Sequence, residues 1–181
     1  KQLAKSGVPP EFAFITLMES AFFKRPGYPI ERPRGSTALG PWQFLIGTGQ
    51  GNGLITTPRV KAVCDGRADL EKSSEAAGRY LRSIIDMFPY DPKLVVLGYH
   101  LGEHGVQKKI TSLKKDTTES RMKLVKEIGL NFWAIRRFNM APVSGLKYVE
   151  NFLSIYHAAL EMPPIGPDPS VAPWKPVPGC R

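Results

Sequence analysis

A mainly α-helical domain is what this sequence predicts, and three observations lead there. Apolar residues recur at helical spacing after a helix-start signal at Pro9-Pro10. Helical patterns return in five later segments, separated by irregular connections. The chain has 181 residues, enough for one domain with a substantial core.

The first helix is expected over residues 10–23, because proline is tolerated in a first helical turn. On it, Phe12, Ile15, Glu19, Phe22 and Phe23 share one face. Residues 24–37 hold too much proline and glycine to continue that helix. Further helices are expected at about 42–50, 73–88, 92–103, 119–128 and 145–161. The basic run from Lys108-Lys109 through Lys114-Lys115 to Arg121, Lys123 and Lys126 reads as a solvated face. Pro163, Pro164, Pro167, Pro169, Pro173, Pro176 and Pro178 mark an extended tail. The organisation is therefore a domain over 1–162 followed by a proline-rich tail over 163–181, with no internal repeat.

The formal net charge of +9 and a pI near 9.7 favour an anionic partner. Nucleic acid is the first rival to consider, but the basic run lacks interleaved aromatics. No zinc-finger, RNA-recognition or Gly-rich phosphate motif stands near it, so the expectation is no nucleic-acid partner. No window approaches the roughly 20 uninterrupted apolar residues that span a bilayer, so any membrane association would come through parts outside this chain. No signal segment opens the chain at Lys1-Gln2-Leu3, which reads as the start of a mature fragment and leaves the compartment open.

Glu19 is the residue that carries most chemistry, since apolar neighbours destabilise an ionised carboxylate and hold a proton ready near neutral pH. Glu19-Ser20-Ala21-Phe22 is followed by Thr37-Ala38-Leu39-Gly40-Pro41-Trp42-Gln43-Phe44, then Gly47-Thr48 and Gly53-Leu54. These blocks resemble the Glu-Ser and Gly-Leu-Trp-Gln-Phe-Met signature of the soluble lytic transglycosylase domain. Leu97-Gly98-Tyr99-His100-Leu101-Gly102-Glu103 resembles that family's Ala-Tyr-Asn-Ala-Gly-Glu, and Asp69 to Leu81 is similar to the helix between the two blocks. Asn131-Phe132-Trp133 and Lys147 to Leu153 look like the end of the catalytic domain in the membrane-bound lytic transglycosylase D group. The likeness runs from about Val8 to about Leu160, with the motifs in the family's order.

The resemblance implies a lysozyme-like fold with a substrate groove, an enzyme that cuts peptidoglycan, and an exported protein of the periplasm or cell envelope. It implies no cofactor and no metal. Ordinary glycosidases use two carboxylates. Here the motif blocks offer Glu19 alone, with Glu31 and Glu103 the nearest second candidates. A single carboxylate suits a substrate that supplies its own nucleophile. In the resembled family the glutamate protonates the glycosidic oxygen between N-acetylmuramic acid and N-acetylglucosamine. It then takes the proton of the muramoyl C6 hydroxyl, leaving a 1,6-anhydro end.

By the same resemblance Gln43 hydrogen-bonds sugar groups and Tyr99 orients the catalytic carboxylate. The polar residue of the second block falls at Arg34, Ser36 or Thr37, and Ser36 and Thr37 join His100 as substrate-binding candidates. Trp42 is groove wall or core, with core the better reading. Departures from the family pattern are His100 for asparagine, Leu101 for a small residue and Pro41 for leucine. The 24–37 connection also looks longer than in relatives. Two other readings belong beside this one. A true muramidase would place water where the C6 hydroxyl should attack, and a non-catalytic relative would keep the groove without turnover. His100 and His104, one turn apart, have a zinc-compatible spacing, but no Cys-x-x-Cys or His-Glu-x-x-His pattern accompanies them. Cys64 and Cys180 are either one disulfide or two thiols.

Overall fold

The computed structural model describes residues 1–20, 38–54 and 65–162. Glu31, Ser36, Thr37, Phe22, Phe23, both cysteines and the proline tail lie outside them. The described residues are mainly helical, with no strand among them beyond one isolated antiparallel bridge between Leu39 and Phe44. They divide into two compact units: Lys1–Tyr80 with the chain from Ile155, and Leu81–Ser154.

In the first unit a short helix α1 (Gln2–Lys5) precedes a 3-10 turn over Pro10–Ala13, which continues as α2 (Phe14–Ser20). The expected helix thus opens in tighter form. Pro9 and Pro10 set an entry in which the Phe12 N–H bonds the Pro9 carbonyl, three residues back. Thr16 and Ser20 are buried on α2 because their hydroxyls donate to the Ala13 and Thr16 carbonyls at 2.7 and 2.9 Å.

The helix expected over 42–50 is shorter: α3 spans Ile46–Gly51. Residues 40–43 form a turn instead, closed by the Gln43 N–H on the Gly40 carbonyl at 3.1 Å. Gly40 (φ 82°) and Gln43 (φ 49°) both lie in the left-handed region, which no α-helix tolerates. Pro41 occupies the second position of that turn, where its fixed φ is at home. Helix α4 (Leu70–Met87) begins three residues earlier than expected, with the Asp69 carboxylate accepting from the Lys72 N–H at 2.9 Å. Its inward Ser73, Ala76 and Ala77 are fully buried.

The second unit is built on α5 (Pro92–Leu101), whose Leu94-Val95-Val96-Leu97-Gly98 run is buried throughout. Asp91 caps it, accepting from the Lys93 N–H at 3.0 Å, and Pro92 fills the first helical position. The expected helix to residue 103 stops at Leu101 because Gly102, at φ 87°, reverses the backbone. Three helices follow: α6 (Glu103–Lys115), α7 (Glu119–Ile128) and α8 (Phe132–Arg137). Helix α9 (Val143–Glu161) closes the described chain. Phe132, Ala134, Ile135, Val106 and Val149 are fully buried. No described helix is long and apolar enough to cross a membrane.

Candidate active site

Glu19 stands in the last turn of α2, half-buried. Phe12 and Ile15, the described members of its expected apolar face, are 4% and 0% exposed. Ser20, the next residue in the Glu-Ser pair, is buried and bonded back onto its own helix. A carboxyl in this setting is anchored by its helix and partly shielded from solvent.

Gln43 sits in a strained backbone conformation that glycine, not glutamine, adopts readily. Its side-chain Nε2 donates to the Gly40 carbonyl at 2.7 Å, so the amide is folded against the turn that carries it. The neighbouring Phe44 ring is buried and packs at 6.2 Å from that of Tyr80, at 57°. Trp42 is core, as expected: it is 2% exposed, and its indole N–H donates to the Ser74 hydroxyl on α4 at 3.0 Å. A cavity of about 490 Å³ opens beside it, lined by Leu3, Thr16, Trp42, Leu70 and Ser74 among others, and neither Glu19 nor Gln43 lines it.

The second unit carries the other two described candidates. Tyr99 is half-buried near the end of α5. His100 is exposed, and its ring stacks on Tyr148 of α9 with centroids 4.1 Å apart and planes at 16°. The stack explains how the histidine is accommodated where the resembled pattern has asparagine: it has an aromatic face to rest on.

The spacing of His100 and His104 requires correction. Gly102 ends α5 between them, so the two side chains do not stand one turn apart on a continuous helix. His104 is exposed and lies 3.6 Å from the Glu103 carboxylate. The same reversal means that Glu103 opens α6 rather than following Tyr99 along one helix. Among the described residues, no cluster of three or more metal-ligating side chains occurs.

Against this geometry, the family model described as Transglycosylase SLT domain matches residues 1–122. The chain belongs to that family. Its fold is accordingly lysozyme-like, and at family level its activity is of the lytic transglycosylase type on peptidoglycan. The matched stretch holds Glu19, Gln43, Tyr99 and His100, as well as Ser36 and Thr37. Comparison with curated proteins returns no match.

Sequence reasoning passed over two groups that the SLT-domain chain places near these residues. One is a buried ion pair, Asp65 with Arg67, whose guanidinium Nη1 donates to the Phe44 carbonyl at 3.0 Å. Two polar residues flanking a glycine carry no signal of that kind, since the contact is made 23 positions away. The other is Tyr148, which lies beyond the family match, in the Lys147 to Leu153 block, and had no role until its ring was seen against His100.

Proposed function

We propose that this chain cleaves the β-1,4 bond between N-acetylmuramic acid and N-acetylglucosamine without water, with Glu19 as acid and then base. The observation that carries the reading is Glu19 itself: a half-buried carboxyl in the last turn of α2, the helix that buries Ile15, inside the stretch that matches the SLT family. A partly shielded carboxyl can hold a proton near neutrality and still reach a substrate oxygen. Glu19 gives that proton to the glycosidic oxygen as the C1–O bond breaks. The muramoyl C6 oxygen then bonds C1, and its proton returns to Glu19. Atoms balance with no water consumed, and the acid is regenerated.

By the family resemblance, the proposed roles are sugar binding for Gln43, orientation of the catalytic carboxylate for Tyr99, and substrate binding for Ser36, Thr37 and His100. In this reading residues 1–162 form the catalytic domain, akin to that of the membrane-bound lytic transglycosylase D group, and the protein is exported to the cell envelope. Its basic charge suits an acidic wall polymer.

Mass spectrometry of muropeptides released from purified peptidoglycan by the wild type and by Glu19→Gln tests the proposal. Anhydro-ended products that disappear in the variant are expected. Reducing ends would mean hydrolysis by a muramidase, and intact sacculus binding without any product would mean a binding module.

A further inference from the structure

We propose that Arg67, oriented by Asp65, is the positioning residue for Gln43, and through it a determinant of how tightly glycan strands bind. The inference rests on the reading of Gln43 as a sugar-binding residue and extends it to side chains that have no assigned role.

The two residues are nearly sealed from solvent, Asp65 at 6% and Arg67 at 5% exposure. Asp65 Oδ1 accepts from both the backbone N–H and the Nε–H of Arg67 at 3.0 Å, and Oδ2 accepts from Nη2 at 2.6 Å. The guanidinium plane is thereby fixed, and its Nη1 reaches the Phe44 carbonyl at 3.0 Å. That carbonyl also accepts the Leu39 N–H at 3.2 Å, so it is gripped from two sides. At the other end of the turn, Gly40 packs so close to Arg67 that a Cβ there would stand 1.7 Å from its carbonyl oxygen. Arg67 therefore braces the turn both at Gly40 and immediately after Gln43.

Burying an ion pair confers little net stability compared with an apolar filling of the same volume. What it supplies here is direction. Gln43 occupies the left-handed region at φ 49°, and a strained conformation persists only where its surroundings over-determine it. The Asp65–Arg67–Phe44 chain of hydrogen bonds, with the Gly40 contact, is that over-determination. A lysine at 67 would keep a positive charge opposite Asp65 but not the planar fork that serves the carboxylate and the Phe44 carbonyl together.

The test is a double-mutant cycle of Arg67→Lys and Gln43→Ala, read as KM and kcat on soluble, uncrosslinked glycan strands, with melting temperature recorded in parallel. Arg67→Lys is expected to raise KM about 2- to 10-fold, the equivalent of one hydrogen bond, with kcat little changed. In the Gln43→Ala background it should raise KM no further, while its effect on melting persists. Asp65→Asn removes the charge that orients the guanidinium and should repeat the pattern, which keeps the test open if Arg67→Lys does not fold. If Gln43→Ala raises KM but Arg67→Lys and Asp65→Asn lower only the melting temperature, or add independently to KM, the pair is structural and the inference is overturned. If Gln43→Ala leaves KM unchanged, the sugar-binding reading of Gln43 fails, and this inference fails with it.

Discussion

An alanine at Gly40 would carry its Cβ 1.7 Å from the Arg67 carbonyl oxygen and 2.6 Å from the carbonyl carbon. A relaxed carbon–oxygen approach is about 3.3 Å, so roughly 1.6 Å must be recovered by moving backbone, since no rotamer is involved. Alanine also loses about 1–2 kcal/mol by holding the left-handed conformation at φ 82°. Moving the turn endangers the Gln43 N–H and Nε2 bonds to the Gly40 carbonyl and the Arg67 bond to Phe44. Each of these is worth about 0.5–1.5 kcal/mol. Together these terms come to about 2.5–6.5 kcal/mol, a loss of at least roughly 5–10 °C in melting temperature for a chain of this length.

Gly105→Ala is the matched control. The same methyl is added on α6, where nothing lies within 4 Å and the backbone is already helical. It should stabilise by about 0.5–1 kcal/mol. Thermal and urea unfolding followed by far-ultraviolet circular dichroism measures both. A Gly40→Ala protein within about 1 kcal/mol of wild type would refute the account of the turn.

Gln43→Gly should be more stable than Gln43→Ala by about 1 kcal/mol, since only glycine relieves the left-handed strain, while both bind glycan equally poorly. Equal melting temperatures would count against strain at Gln43. Asp91→Ala removes the α5 cap and leaves the buried Phe132 N–H, now bonded at 2.8 Å, without its acceptor. The expected loss is roughly 2–4 kcal/mol by urea unfolding. Hydrogen bonds from Thr118 and Arg121 hold the Asp116 carboxyl down at about 2, from an ordinary 3.8. Because the folded value is the lower one, its stabilisation is present above about pH 4 and is lost as pH falls toward 2. Asp116→Asn should flatten that part of a melting-temperature profile between pH 6 and 2, and an unchanged profile would place the acid sensitivity elsewhere.

Much of the helical framework was legible in the residues. Helix α7 was expected over 119–128 and is found there, because its charges and apolar positions follow helical spacing. Helix α6 was not expected, since the lysine-rich stretch was read as a solvated face although Val106, Ile110 and Leu113 follow helical spacing within it. Helix α8 has six residues, too few for a periodic signal, and is announced only by the Asn131 cap on the Trp133 and Ala134 N–H groups. The expected helix at 42–50 began too early, inside the turn, because nothing local reveals that Gln43 adopts positive φ. Glu19 stood out by its apolar helix face as well as by motif, whereas Gln43 and Tyr99 became candidates only through resemblance in motif. The Asp65–Arg67 brace was not legible at all, because its meaning lies in a carbonyl far off in sequence.

Helix α5 has a consequence for where this fold can be cut. The family match stops at residue 122, yet three holds on α5 come from beyond it. Asp91 grips the Phe132 N–H, His100 lies on Tyr148, and Leu101 fits where Gly145 has no side chain, at a spot where a Cβ would come within 2.8 Å. A fragment ended at residue 122 would keep Tyr99 and the packing of α5 on α6 while removing these three further holds on α5. The family match and the contacts that hold α5 end at different residues in this protein, and the contacts reach farther along the chain.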